Sequence, residues 1–167
     1  MPYTGFQLWH ADIWVLMDNA LKSARQQLAG LLEATQRLLD IASPTLEPLL
    51  FDDEAVVESL TALARRGART RIRLLIASDQ PSAFENHRLV GLAQRLTTAV
   101  SLRVLEHHPE WQQQTMIISD RNYGILLTPK EKRLRTLDNP LVASRWADTF
   151  ERLWQASAES LELRQFY

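Results

Sequence analysis

Between residues 12 and 32, Ile13, Leu16, Met17, Ala20, Leu21, Ala24, Leu28 and Leu31 recur at three- and four-residue intervals. This spacing predicts a helix with one apolar stripe, ending near Gly30 or a few residues beyond. Residues 36–42 fit strand and helix patterns alike, and Pro44 and Pro48 impose an irregular connection after them. The next stretch carries every boundary signal of a helix. Asp52 or Asp53 supplies the N-cap, Val56, Val57, Leu60 and Leu63 the buried stripe, Arg65 and Arg66 a basic last turn, and Gly67 the stop. Residues 71–77 begin by alternating and end as a continuous apolar run, as a strand does when it enters a covered sheet, and 78–82 form the following turn.

The plan then repeats. Residues 85–98 place Leu89, Leu92, Ala93 and Leu96 on one helical face, and 101–105 alternate as a strand that His107-His108-Pro109 ends. Residues 115–119 and 123–128 read as two strands joined by Asp120-Arg121-Asn122 into a hairpin. Pro140, behind Asp138-Asn139, opens a last helix with Leu141, Val142, Trp146, Phe150, Leu153 and Trp154 as its apolar face. With 36–42 taken as a strand, this order predicts an α/β fold, a mixed β-sheet with helices on both faces. A length of 167 residues suits one domain over 1–167, with an N-terminal helix region at 1–35 and a C-terminal helix at 138–160.

Composition narrows the function classes. Apolar residues at 46% and charged residues at 23% are ordinary for a globular chain, so disordered and collagen-like readings lose support. A net charge of -1 argues against a surface that coats nucleic acid wholesale, and any phosphate affinity has to be local. The absence of cysteine removes disulfides, thiolate metal sites and cysteine nucleophiles. The N-terminal residues lack the pattern of a secretory signal, and no apolar stretch reaches the roughly 20 residues that span a bilayer. A cytoplasmic protein without membrane association is the expectation.

The candidate chemistry is sparse. Of the histidines, His10, His87, His107 and His108, the last two are adjacent and would point to opposite faces of a strand, which disfavours shared metal ligation. His87 lies beside Leu89 and Leu92 and reads as structural. No metal or cofactor motif is present. Two basic runs invite a phosphate or nucleic-acid reading: Arg65, Arg66, Arg69, Arg71 and Arg73, and Lys130, Lys132, Arg133 and Arg135. Cations suit a helix C-terminus, and Arg71 and Arg73 alternate with Ile72 and Leu74, so solvated structural charge explains them individually. Brought onto one face, the two runs would make an anion site. Trp146 and Trp154 suit a core, while Trp9, Trp14 and Trp111 are less constrained and offer interface positions.

The stretch from Gln113 to Asp120, the hairpin strand to Thr128, and the helix from Asn139 to Trp154 resemble the C-terminal half of a phospholipase D-like domain. The earlier helix-strand cycles resemble its first part, so the resemblance covers the chain from about Gln36. That superfamily carries His-x-Lys, four residues and Asp on one strand, then a small hydroxyl residue and Asn on the next. By this resemblance its Asp falls on Asp120, its nucleophilic His on Gln113, its phosphate-binding Lys on Thr115, its hydroxyl on Thr128 and its Asn on Lys130. An amide does not attack phosphorus, and a neutral hydroxyl does not replace an ammonium beside developing oxyanion charge. The resemblance therefore implies a scaffold without its reagent: a non-catalytic binding, regulatory or assembly module. Asp120 is then expected to stabilise its own turn, with a relic of the phosphate site as the alternative, and residues 112–114 to form a solvated strand entry or else to line a polar pocket. Such domains resemble halves of a two-fold assembly, which implies a homodimer or a catalytic partner domain on another chain. Two other readings stand beside this one. One is a phosphodiesterase or nuclease with a non-standard site at His107 or His108, and the other an unrelated doubly wound domain.

Overall fold

Residues 38–42 resolve the one segment whose pattern fits two states. Leu38–Ala42 is a strand, β1, because alternation buries Leu39 and Ile41 on one face and Asp40 and Ala42 on the other. The computed structural model describes residues 4–128 and 133–163, with side chains from residue 19 onward. Helix α1 (Thr4–Ala34) precedes β1 and extends beyond the predicted helix at both ends. The short α2 (Pro48–Phe51) and α3 (Glu54–Ala64) follow, the latter capped by the Asp53 carboxylate accepting the Val56 N–H at 3.2 Å. Strand β2 (Arg71–Ile76) leads through a 3-10 turn at Pro81–Phe84 into α4 (Arg88–Arg95) and β3 (Val100–Val104). Helix α4 is shorter than predicted because Asn86 takes a positive φ of 60° and His87 becomes the cap.

Strands β4 (Thr115–Ser119) and β5 (Tyr123–Thr128) form the predicted hairpin, with Ser119 opposite Tyr123. Strand β6 (Arg133–Leu137), helix α5 (Pro140–Ala156) and the two-residue β7 (Ala158–Glu159) complete the described residues. Neither β6 nor β7 is among the predicted strands. In β6 the alternation of Arg133, Leu134, Arg135, Thr136 and Leu137 is hidden inside a basic run. It becomes a strand because β5 offers a paired edge, with Gly124 opposite Leu137 and Thr128 opposite Arg133.

The seven strands lie in the order β6-β5-β4-β1-β2-β3-β7. Strands β1, β2 and β3 are parallel, β4 to β6 form an antiparallel meander, and β7 closes antiparallel against β3. This is the expected mixed α/β sheet. One face packs against the buried stripes of α1, α3 and α4, through Leu28, Leu31, Leu60, Leu63, Leu89 and Leu92. The other packs under α5 through Ala143, Ala147, Phe150 and Leu153. Small alanines let this helix lie close to the sheet, and Leu141, predicted on the apolar face, is 74% exposed in the first turn. Burial of a side chain such as Phe150 is worth about 1.5–3 kcal/mol.

The topology defines two ends. At the upper end β1, β2 and β3 finish and β4 begins; at the lower end β1, β2 and β3 begin and β4 finishes. Helices α1, α3 and α4 each feed a parallel strand, so their C-termini point to the lower end. The upper end is where open α/β sheets place ligands.

Candidate functional site

Gln113 stands two residues before β4 at the upper end, with a positive φ of 60° and its side-chain amide donating to the Glu106 carbonyl at 3.5 Å. Thr115, in the first position of β4, is 3% exposed, and its Oγ1 lies 3.3 Å from Ser43 Oγ. Together with Leu21, Ser43, Leu49 and Leu127 these two residues line a cavity of about 340 Å³. The residues described as lining it include no histidine, lysine or arginine. Glu47, which accepts the Leu49 N–H, adds a carboxylate whose charge repels phosphate, and the hydroxyls and amide can orient a neutral group. They can neither attack a phosphorus atom nor neutralise its oxygens. Thr128 also sits at the upper end, but it faces the opposite side of the sheet from Leu127 and so stays outside this lining.

Asp120 lies at the other end of β4, about 17 Å along the strand. One carboxylate oxygen accepts the N–H groups of Arg37 and Leu38, each at 2.9 Å, and the other accepts that of Gln36 at 2.8 Å. Its own N–H donates to the Leu38 carbonyl at 2.8 Å. Asp120 and Arg121 take φ of 50° and 62°, the left-handed pair that a tight hairpin turn requires, and Asn122 N–H closes on Ser119 O at 3.1 Å. The carboxylate thus ties the hairpin tip to the α1–β1 connection, a task wider than its own turn. Gln113 and Thr115 share a cavity with each other and not with Asp120.

The arginines divide in the same way. At the lower end the Arg71 N–H donates to the Arg37 carbonyl at 2.7 Å, and the Arg71 guanidinium donates to the carbonyls of Ala68 and Thr70. Arg66 reaches the Thr35 carbonyl, Arg121 pairs with Asp148, and Arg65 and Arg69 are exposed. Arg133 opens β6 at the upper end, and Lys130 and Lys132 lie outside the described residues. Arg71 and Arg133 share the α5 face of the sheet, yet β2 and β6 stand four strand steps apart, about 19 Å. Helix α5 lies over the intervening β1, β4 and β5. The two basic runs share a face without forming one cluster among the described residues.

Arg73 departs from the solvated alternation that its sequence suggests. Its guanidinium forks onto the Asp40 carboxylate at 2.7 and 3.0 Å, reaches Glu151 at 2.8 Å, and lies 5.1 Å from the Phe150 ring centre and 5.4 Å from that of Trp154. Burial pushes the Asp40 carboxyl above its ordinary value, while the hydrogen bonds and charge of Arg73 pull it back down only in part. Arg73 is held charged by the Asp40 and Glu151 carboxylates against its own desolvation. The sequence signal for this group is Asp40, a lone acid in the apolar run 38–42, which a buried strand tolerates only with a partner.

Among the described residues no histidine contributes a nucleophile to the Gln113 cavity. His87, 6% exposed, accepts the Leu89 N–H on Nδ1 and donates from Nε2 to the Leu46 carbonyl at 2.8 Å, which fixes its tautomer as a helix cap. His107 and His108 lie in the β3–β4 loop at the upper end. The His107 side chain is 90% exposed beside Glu106, and His108 Nδ1 accepts the Glu110 N–H at 3.1 Å. The side chain of His10 lies outside the described residues, as do those of Trp9 and Trp14. Trp111 is buried, its indole N–H donating to the Gln114 carbonyl at 2.9 Å. Among the described residues no cluster of three metal-binding side chains occurs, and no helix is long and apolar enough to cross a membrane.

The sheet order and its helices define an α/β domain of the phospholipase D-like fold. The chain belongs to the family described as "Domain of unknown function (DUF7931)", whose profile matches residues 20–166. Among the solved structures that share the fold are a chromatin protein and a protein named NucT. TrmBL2, an archaeal chromatin protein described as showing a novel mode of DNA binding, aligns over 84% of this chain with a TM-score of 0.62 and 14% identity. This chain spans 51% of that protein's length. NucT from Helicobacter pylori aligns over 84% of this chain and 92% of its own, with a TM-score of 0.60 and 12% identity. No curated protein matches by sequence.

Proposed function

We propose that this chain is a phospholipase D-like domain without phosphodiester hydrolysis that works as a binding module, in regulation or assembly. The observation that carries the reading is the lining of the upper cavity. By the resemblance to phospholipase D-like domains, Gln113 and Thr115 fall where that pattern has its nucleophile and phosphate-binding cation, and no histidine, lysine or arginine joins them in the described lining. The separation of Asp120 from that cavity, and its use in bonding three backbone N–H groups, supports the same reading. The DNA binding ascribed to TrmBL2 supports nucleic acid as the class of partner. Assembly with a second copy, or with a catalytic domain on another chain, belongs to the proposal and is tested by light scattering, where a monomer at every concentration removes the homodimer.

Hydrolysis of bis-p-nitrophenyl phosphate tests the central claim. The expected result is no turnover above buffer for the purified chain. Turnover that vanishes in His107→Ala or His108→Ala would establish the non-standard enzyme instead, because those imidazoles share the upper end with the cavity.

A further inference from the structure

Resting on the binding reading above, we infer that the lower end of the sheet is a site for a nucleic-acid backbone, on the opposite side of the fold from the vestigial cavity. The turn after β4, the residue before β1 and the first residue of β2 stand side by side there, because β4, β1 and β2 are neighbours. They carry a row of arginines along this end whose side chains divide between the two faces of the sheet: Arg37 shares the α1 and α3 face and lines one groove with Arg121, while Arg71 shares the α5 face. Arg69 in the preceding loop and Arg66 at the end of α3 extend the row. The bond from Arg71 N–H to the Arg37 carbonyl fixes the backbone register of β1 and β2 at this end. Cations gathered along one end of the sheet can contact the phosphates of a strand, and guanidinium forks suit phosphate oxygens.

Structural duties account for only part of this charge. The C-termini of α1 and α3 favour cations by roughly half a charge each. Asp148 pairs with Arg121. Asp120, bonded to three backbone N–H groups, keeps its negative charge at the same end, and Glu33 on the last turn of α1 and the exposed Asp138 after β6 add two more acids, against which Arg37, Arg66, Arg69 and Arg71 stand. Arg37 and Arg69 are exposed, and their guanidiniums bond to no other described residue.

An adjoining groove of about 800 Å³ discriminates between polyanions. Arg37 and Arg121 line it together with Gln36, Asn122 and the half-buried ring of Tyr123. Amides and an aromatic face beside a cationic row offer hydrogen bonds and stacking to bases, as single-strand binding surfaces do. A lipid surface would favour several inserted apolar side chains, and of the exposed large ones among the described residues Leu141, in the first turn of α5, lies at this end.

The test is fluorescence anisotropy of the full chain with labelled single-stranded DNA, RNA of the same sequence and the DNA duplex, across a salt series. Binding at low salt is expected. The double variant Arg37→Glu/Arg69→Glu should weaken it at least tenfold and lower the slope of log affinity against log salt by about 1.5, two phosphate contacts at roughly 0.7–0.9 each. Arg133→Glu/Arg135→Glu, on the far edge strand, should leave it unchanged. Circular dichroism confirms that each variant is folded, and Arg69→Glu alone serves if the double variant is not. No binding to any of the three probes at low salt overturns the inference, as does equal loss in the Arg133/Arg135 control, or tighter binding to anionic vesicles or polyglutamate. Cleavage of the bound strand would sink the non-hydrolytic reading while leaving this site standing, so the two failures are separate.

Discussion

Asp120→Ala separates an architectural carboxylate from a relic of catalysis. The substitution removes the acceptor for three backbone N–H groups at 2.8–2.9 Å. Hydrogen bonds to a charged acceptor contribute about 1.5–3 kcal/mol each when water cannot replace them. Gln36 and Arg37 are exposed, so solvent recovers much of their share and each contributes about 0.5–1 kcal/mol; half-buried Leu38 contributes about 1.5 kcal/mol. Alanine at a φ of 50° adds about 1 kcal/mol of left-handed strain that aspartate bears more easily. The expected loss is about 4 kcal/mol in all. In urea unfolding with a slope of about 2 kcal/mol per molar, the midpoint falls by about 2 M. Asp120→Asn keeps the left-handed preference and one acceptor oxygen, and is expected to cost about half as much. A loss below about 0.5 kcal/mol for Asp120→Ala would refute the reasoning, because the fold would then owe nothing to those three bonds.

Three further outcomes follow from particular contacts. Arg73→Ala leaves the Asp40 carboxylate buried with no cation forked onto it, and is expected to destabilise by about 3–5 kcal/mol at neutral pH. That loss should depend on pH. Burial already holds the Asp40 pKa above its ordinary 3.8, and removal of Arg73 raises it further. A folded-state pKa above the unfolded one means that the folded state binds the proton more tightly, so stability falls as pH rises through that interval and recovers in acid. Thermal melts from mildly acid to neutral pH should show the deficit widening; a constant deficit would count against the pairing. Gly124→Ala places a Cβ 2.6 Å from the Ile117 carbonyl oxygen and 3.4 Å from Ile118 Cα, and should cost about 1–3 kcal/mol in a thermal melt, whereas a neutral result would contradict the close approach of β5 to β4.

Local pattern was sufficient for much of the molecule. The stripe of Val56, Val57, Leu60 and Leu63 with its Asp53 cap defines α3, and Asn139 before Pro140 starts α5, because helix periods and caps depend on residues three or four apart. The side chains at 113 and 115 also speak without coordinates, since no packing turns an amide into an imidazole. Tertiary structure decided what depends on partners distant in the chain. Strand β6 exists because β5 pairs with it. Asp120 finds its N–H donors at residues 36–38, more than 80 positions away, and Arg73 finds Asp40 across a parallel strand pair and Glu151 on a helix. The same pairing sets Gln113 and Thr115 at one end of β4 and the arginine row at the other. Residue identity settles which chemistry a side chain can perform, but strand order and register settle which side chains meet, and those arise from cooperative packing of the whole sheet, which no local window contains.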